Sequence, residues 1–459
     1  MPNIISRIHF VGIGGAGMSA IAKILLQKGY LVTGSDIKES EVVSRLERLG
    51  AKVFIGHSSE NIEGTEAIVV STAISADNPE VQAAKERGLT IYHRSDIVAM
   101  LLNEVQGIAV AGAHGKTTTT SIVALMLEKS GLDPTIIIGG DLDYLNGNAK
   151  WGQGKYLVAE ADESDGSFVK LSPYIAIVTN IENDHMDHYG TMECILQAFN
   201  EFLSKLHPQE GLGVLCFDNH YVRDMATQIN RKYVSYALDH EADYMAKDIV
   251  VRGTTTTFAV YCRDKRLGEI ELHVPGRHNV ANSLAAVAVG MAVGLSFPQI
   301  AEGIAMFRGV KRRFQTKGCV NGVWVVDDYA HHPTEIATTL QAARGVAPKR
   351  LVCVFQPHRY TRTKFLAKEF GGAFENADLL ILTDVYSAGE AQIPGVSGEL
   401  IKEEVERQTG KKVIYIPDRA NVSRYLTEIA ESGDLVMTMG AGNIYLSGEE
   451  LVEKLVEKK

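Results

Sequence analysis

Short apolar runs recur along the chain, each followed by a longer stretch in which apolar positions repeat at helical spacing. In the first hundred residues the runs at 8–13, 31–34, 67–71 and 90–92 alternate with such helical patterns. That alternation predicts parallel strands with helices packed on the sheet, an α/β fold. A second segment opens with the run at 107–111 and carries strands at 156–159 and 175–180, each ending in polar residues. Threonine-rich sequence at 248–274 has shorter spacing and predicts an added antiparallel meander, making this sheet a mixed one. Gly276-Arg277-His278-Asn279 then opens an alanine-rich helix. The third segment returns to alternation, with strands at 323–327, 350–355, 379–383, 412–416 and 435–439. The expected domains are therefore 1–106, 107–313 and 314–459, consistent with roughly 100–200 residues per domain.

Two of the strand-to-helix turns are rich in glycine. Gly12-Ile13-Gly14-Gly15-Ala16-Gly17 follows the first strand, and Asp36 ends the next one. This is the dinucleotide-binding pattern, which sets a diphosphate on a helix N-terminus and an acid near a ribose hydroxyl. The second turn is Gly112-Ala113-His114-Gly115-Lys116-Thr117-Thr118. Its glycines would let backbone N–H groups close around phosphate oxygens, Lys116 would reach the β- and γ-phosphates, and Thr117 would ligate Mg²⁺. The usual spacing wants a glycine at 110, where this chain has Val110.

Acidic and imidazole groups gather where the next strands end. Glu160-Ala161-Asp162-Glu163-Ser164-Asp165 follows one strand, and spacing leaves open which acid would bind a metal, with Glu160 the best placed. Asn180-Ile181-Glu182-Asn183-Asp184-His185-Met186-Asp187-His188 follows another. Lacking cysteine ligands or an H-E-x-x-H helix, it fits magnesium and a substrate oxyanion better than zinc. In the third segment, Asp328-Tyr329-Ala330-His331-His332-Pro333 and Gln356-Pro357-His358-Arg359-Tyr360-Thr361-Arg362 occupy equivalent strand ends. Paired arginines there suit a bidentate grasp of a carboxylate or phosphate. Arg312 and Arg313 at the domain junction could reach nucleotide phosphates.

Composition narrows the function classes. A net charge of -10 gives no general attraction to nucleic acid or to an anionic membrane, so anionic ligands must meet local clusters. The apolar run at 284–297 is too short to span a bilayer and contains Gly290 and Gly294. Met1-Pro2-Asn3 begins no charged-then-apolar signal, and five scattered cysteines suit reduced thiols. The expectation is a cytoplasmic protein.

Together these motifs resemble the Mur ligases of bacterial peptidoglycan synthesis, over essentially the whole chain. The resemblance implies a Rossmann-like UDP-binding domain, a central P-loop ATPase domain and a C-terminal Rossmann-like domain that receives an amino acid. It implies an ATP-dependent ligase that joins the lactyl carboxylate of UDP-N-acetylmuramate to L-alanine through an acyl phosphate. The cofactors implied are ATP and Mg²⁺, with Mn²⁺ as a substitute, and the expected state is a monomer or weak homodimer.

By the family pattern Lys116 stabilises the transferring phosphoryl group, Thr117 and Glu160 hold one magnesium, and His185 holds a second. Gly112 to Thr118, His278, Asn279, Asn282, Arg313 and Asp328 would bind the nucleotide. Tyr329, His331, Arg359 and Arg362 would bind the amino acid, with His331 and Arg313 counted among the catalytic groups. Gly12, Gly14, Gly15 and Gly17 would hold the UDP diphosphate, with Asp36, His57 and Ser71 near the sugar or uracil. Some relatives carbamylate a lysine just after the metal-binding histidine; residues 192–204 contain none, so no such modification is expected. Three rivals share parts of these motifs: a sister ligase attaching a recycled tripeptide, a dinucleotide-dependent oxidoreductase, and a non-catalytic nucleotide switch. The pair Arg359 and Arg362 favours a small amino acid, whose carboxylate lies close to its reacting amine.

Overall fold

A computed structural model describes residues 6–145 and 147–458, the side chains of Asp143 and Asp187 aside. Met1-Pro2-Asn3 lies outside them. Among the described residues the strands form three sheets. The first runs in the order Lys52–Ile55, Leu31–Asp36, Arg7–Val11, Ala67–Val70, Thr90–His93, with every neighbouring pair parallel. Chain order reverses beside Arg7–Val11, and the glycine turn leaves the carboxyl end of that strand, where open α/β sheets bind ligands. Helix Ala16–Gln27 packs Ile21, Ile24 and Leu25 into the core with Ile8 and Phe10, each buried side chain contributing about 1.5–3 kcal/mol.

The second sheet has ten strands. Its centre places Gln106–Ala111 between Ile175–Val178 and Tyr156–Glu160, all parallel. Val110 pairs with Glu160, and Ala111 with Val178. The phosphate turn therefore emerges between the two clusters of acids and imidazoles. The meander is present as Tyr244–Arg252, Thr255–Cys262 and Lys265–Leu272, adjacent in that order at one end of the sheet. Helix Lys116–Lys129 is buried along most of its length. It packs closely on helix Phe297–Ala305, where a Cβ on Gly303 would lie 2.8 Å from the Met126 Cα. That close seat fixes the helix that starts at Lys116.

The third sheet runs Gln315–Val320, Val323–Asp328, Asp434–Met439, Arg350–Phe355, Leu379–Leu382, Val413–Tyr415. Only its first pair is antiparallel. Asp328 and Phe355 both pair with Met439. One register thus brings three strand ends, and the turns that follow them, to the same edge.

Chain contacts define two compact units. One is the chain up to Asp248 with Phe258–Ile270 and Ala281–Phe307; the other is Ile249–Thr257, Glu271–Val280 and the chain from Arg308 onward. Among the described residues no helix is long and apolar enough to cross a membrane.

Candidate active site

In the first unit the phosphate turn is built around two glycines with positive φ and close neighbours. Gly112 has φ +135°, and a Cβ there would lie 2.1 Å from Thr179 Oγ1. Gly115 has φ +83°, with Asn282 Oδ1 at 2.8 Å from the same added atom. Val110, by contrast, belongs to the buried strand, where an apolar residue is needed and a glycine is not. The turn is held from the neighbouring strand end: His114 N donates to Asn180 Oδ1 at 2.9 Å, and Thr179 Oγ1 and Asn180 Nδ2 donate to His114 O at 2.6 and 3.0 Å. The His114 ring meets Glu182 at 3.2 Å.

Lys116 turns back over this loop. Its ammonium donates to Gly112 O at 2.6 Å, Ala113 O at 3.2 Å and Glu163 Oε1 at 2.7 Å, which uses its three protons. Burial alone would lower its pKa; the carboxylates of Glu163 and Asp162 outweigh burial and raise it, so the side chain is a cation at neutral pH. Glu163 is itself buried, and its second oxygen has no partner among the described residues.

Thr117 Oγ1 donates to Glu160 Oε2 at 3.2 Å, and Gly139 N donates to Glu160 Oε1 at 2.7 Å. Burial raises the Glu160 pKa, offset only in part by the Gly139 N–H and Lys116. A half-buried carboxylate and a hydroxyl with charge still uncompensated are hard oxygen donors that fit Mg²⁺. His185 has φ +57° and sets Nε2 3.6 Å from both Glu163 Oε1 and Asp184 Oδ2. Burial opposes its protonation, but Glu163 and Asp184 prevail and raise its pKa.

The structure also separates the acids of this cluster, among which spacing left the choice open with Glu160 the best placed. Asp162 is engaged by Arg94 at 2.8 Å, which with Lys116 holds its carboxyl well below the usual range in spite of burial. Arg94 was not anticipated, and it also lies at the other glycine turn, where a Cβ on Gly17 would be 2.5 Å from its Nη1. In that turn Gly14 N donates to Asp36 Oδ2 at 2.9 Å, and Gly12 N to Ser35 O at 2.8 Å. Asp36 thus closes the turn on itself. His57 Nδ1 lies 3.0 Å from Ser35 Oγ and 3.1 Å from Glu80 Oε2, and Ser71 follows the strand Ala67–Val70.

The second unit holds a cluster of its own. Asp328 accepts from Phe314 N and Ala330 N, both at 2.8 Å, and burial pushes its carboxyl up to about 6 against the nearby Arg313. Arg312 is spoken for: it meets Asp327 at 3.0 Å, donates to Gly440 O at 2.7 Å and lies over the Tyr329 and Tyr445 rings. Arg313 lies 3.6 Å from Glu335 and beside the Tyr329 ring. His331 Nδ1 is 3.0 Å from Tyr329 O, and burial brings its pKa down to about 4. Its ring stands edge-on to His358, centroids 5.8 Å apart, and His358 stacks on Tyr386. Arg362 Nη1 lies 3.3 Å from His358 Nδ1, while Arg359 takes φ +69° and donates its N–H to Tyr386 O at 2.9 Å. His278 is neutral, brought down to about 4 by burial and Arg313, and Asn279 Nδ2 donates to Pro275 O at 2.7 Å. His358 and Tyr386 were missed as site groups; the only signal was His358's place within the Gln356 to Arg362 motif.

A glycine turn with an acid-held lysine and a hydroxyl–carboxylate pair fits a nucleotide phosphate and its cation, and family models decide the family. The model of the Mur ligase middle domain matches residues 110–290, that of the Mur ligase family, catalytic domain, residues 7–106, and that of the Mur ligase, glutamate ligase domain, residues 312–442. The chain belongs to the Mur ligase family. It is 54% identical over 454 residues to UDP-N-acetylmuramate--L-alanine ligase of Pelotomaculum thermopropionicum, covering 99% of this chain and 98% of that protein. Its counterpart in Geotalea daltonii is 52% identical over 453 residues, covering 99% of each. Among solved structures, UDP-N-acetylmuramate-alanine ligase of Thermotoga maritima is 30% identical with a TM-score of 0.84, covering 99% of this chain and all of that one. A murein peptide ligase of Psychrobacter arcticus shares the Mur ligase fold at 24% identity and a TM-score of 0.73, covering 98% of each chain.

Proposed function

We propose that this Mur ligase uses ATP to join L-alanine to the lactyl carboxylate of UDP-N-acetylmuramate, in bacterial peptidoglycan precursor synthesis. The observation that carries the reading is the convergence, at one turn, of the Lys116 cation, the Thr117–Glu160 oxygen pair and the buried Glu163. Phosphoryl transfer asks a protein for positioning and charge neutralisation, which these groups supply. Similarity across nearly the whole length of the curated ligases supports the choice of substrates.

In the first step a carboxylate oxygen attacks the γ-phosphorus, the bond to the ADP oxygen breaks, and an acyl phosphate forms. Lys116 offsets the charge developing on the transferring group. Thr117 and Glu160 would hold one Mg²⁺ and His185 a second, and these ions would supply polarisation of the phosphate oxygens. In the second step the alanine amine attacks the acyl carbon and loses a proton, and the tetrahedral intermediate expels phosphate. Arg359 and Arg362 are assigned to the alanine carboxylate, with Tyr329 and the neutral His331 orienting the amine. His278, Asn279 and Asn282 are assigned to the nucleotide, Asp328 to its ribose and Arg313 to its phosphates. Gly12, Gly14, Gly15 and Gly17 are assigned to the UDP diphosphate, with Asp36, His57 and Ser71 lining the sugar or uracil. The corresponding domains are 1–106, 107–313 and 314–459, and the setting is the cytoplasm, with the chain a monomer or weak homodimer acting on small molecules.

The test is phosphate release from ATP and Mg²⁺ with UDP-N-acetylmuramate, comparing L-alanine with glycine, L-serine, D-glutamate and the tripeptide, with mass detection of product. L-alanine should drive release best and add its own mass. Release driven only by the tripeptide would replace this reading with the recycling reaction.

A further inference from the structure

One cavity takes no part in the chemistry above. Helix Ala16–Gln27, helix Glu41–Arg48 and the strands Thr135–Leu142 and Gly147–Lys150 enclose a volume of about 420 Å³, entirely within the first unit. Lys23, Arg45 and Arg48 line it against two acids, Glu41 and Asp141. Two of the cations converge on one point: a Cβ on Gly147 would lie 3.2 Å from Arg45 Nη1 and 3.6 Å from Lys23 Nζ. Arg45 has carboxylates nearby, Asp141 at 3.5 Å and Glu41 at 3.8 Å. Lys23 has no hydrogen-bond or ion-pair partner among the described residues.

A half-buried ammonium beside a guanidinium is unfavourable by itself, because burial and like charge both disfavour the charged form. Both act on Lys23, lowering its pKa, burial first and Arg45 second, and the Asp141 carboxylate offsets them only in part. An anion between the two would reverse the penalty with charge-assisted hydrogen bonds. Paired cations from two elements match a dianion better than a single carboxylate. The volume exceeds what a bare phosphate fills, and Leu46 and Leu145 supply an apolar wall for the remainder.

We propose that this cavity is a second anion site, separate from both glycine turns, which takes a phosphate monoester bearing an apolar or ring-shaped group. Neither Lys23 nor Arg48 has a part in the ligase reading, and the proposal does not rest on that reading.

The experiment is calorimetric titration of the full chain with phenyl phosphate, after saturation with ADP, Mg²⁺ and UDP-N-acetylmuramate to fill the glycine turns. One further binding event is expected, at least tenfold weaker in Lys23→Gln and retained in Lys23→Arg, with inorganic phosphate binding less tightly at the same place. Ligase kinetic constants should be unchanged in Lys23→Gln. Equal binding by wild type and Lys23→Gln, or no further event, would overturn the proposal. So would a raised KM for the sugar nucleotide in Lys23→Gln, since the cavity would then belong to the substrate site. If Lys23→Gln does not fold, Arg48→Gln takes its place in the same comparison. The wild-type comparison holds with the turns empty as well, so a failure of the ligase reading is distinguishable from a failure here.

Discussion

At the scale of single residues the site depends on charges that are buried and shared. Glu163 holds Lys116 at 2.7 Å and lies 3.6 Å from His185, so one carboxylate positions two of the proposed catalytic groups. Lys116→Ala should cut turnover by roughly three orders of magnitude. It should also destabilise the folded protein by about 3–5 kcal/mol, because Glu163 is left buried without its cation. Adding Glu163→Gln should recover stability and not turnover; a double-mutant cycle by urea unfolding, with phosphate release alongside, would show both.

Two groups in the second unit, the half-buried His331 and the buried Asp328, predict opposite dependences on pH. His331 titrates near 4 when folded, below the usual 6.5, so the unfolded chain binds more protons between those values. Stability should therefore fall as pH drops from about 6.5 to 4, by on the order of 3 kcal/mol from this residue. Asp328 titrates near 6 when folded, above the usual 3.8, so it contributes stability as pH falls through that window. Urea unfolding against pH should show a shallower acid loss in His331→Gln and a steeper one in Asp328→Asn.

At the scale of elements, two glycines with positive φ differ in what surrounds them, and their neighbours decide which one the site depends on. Gly112→Ala would drive a methyl into Thr179 Oγ1 at 2.1 Å and strain a backbone with φ +135°. ATP turnover should fall by at least about a hundredfold, since a loop displaced by about 1 Å loses catalytic alignment. Gly131→Ala, at φ +77° with open space around it, should cost about 1 kcal/mol of stability and leave turnover intact. Arg312 secures the start of the third sheet through Asp327, the Gly440 carbonyl and two rings. Arg312→Lys keeps the charge but loses the fork and the stacking, so thermal unfolding should shift down by several degrees, about 2 kcal/mol.

At the scale of the whole molecule, parallel α/β layers place loops at the carboxyl ends of strands, and most of the proposed ligand groups are at such strand ends, on the loops that leave them or on the helices that follow, Arg313 before the strand Gln315–Val320 being an exception. The same layout explains how much could be read in advance. Apolar runs and glycine turns are local signals, and they located the strands at 107–111 and 350–355 and both glycine-rich strand-to-helix turns to within a residue or two. The family could be recognised on those motifs alone, before any contact was known.

Local pattern carries a residue's type and its place along an element, so the α/β layers, the lysine of the phosphate turn and the candidate acids were all legible in the chain. Register between strands far apart in sequence decided the rest. Only the pairing of Val110 with Glu160 and of Ala111 with Val178 shows which loops flank Lys116. Only folding gives Asp162 to Arg94, 68 residues away, and leaves Glu160 beside Thr117 and Glu163 beside Lys116. The stacking of His358 on Tyr386 and the commitment of Arg312 to Asp327 and Gly440 are likewise tertiary. A carboxylate's role depends on which cation reaches it and how far water is excluded, and neither quantity is a property of its neighbours in the chain.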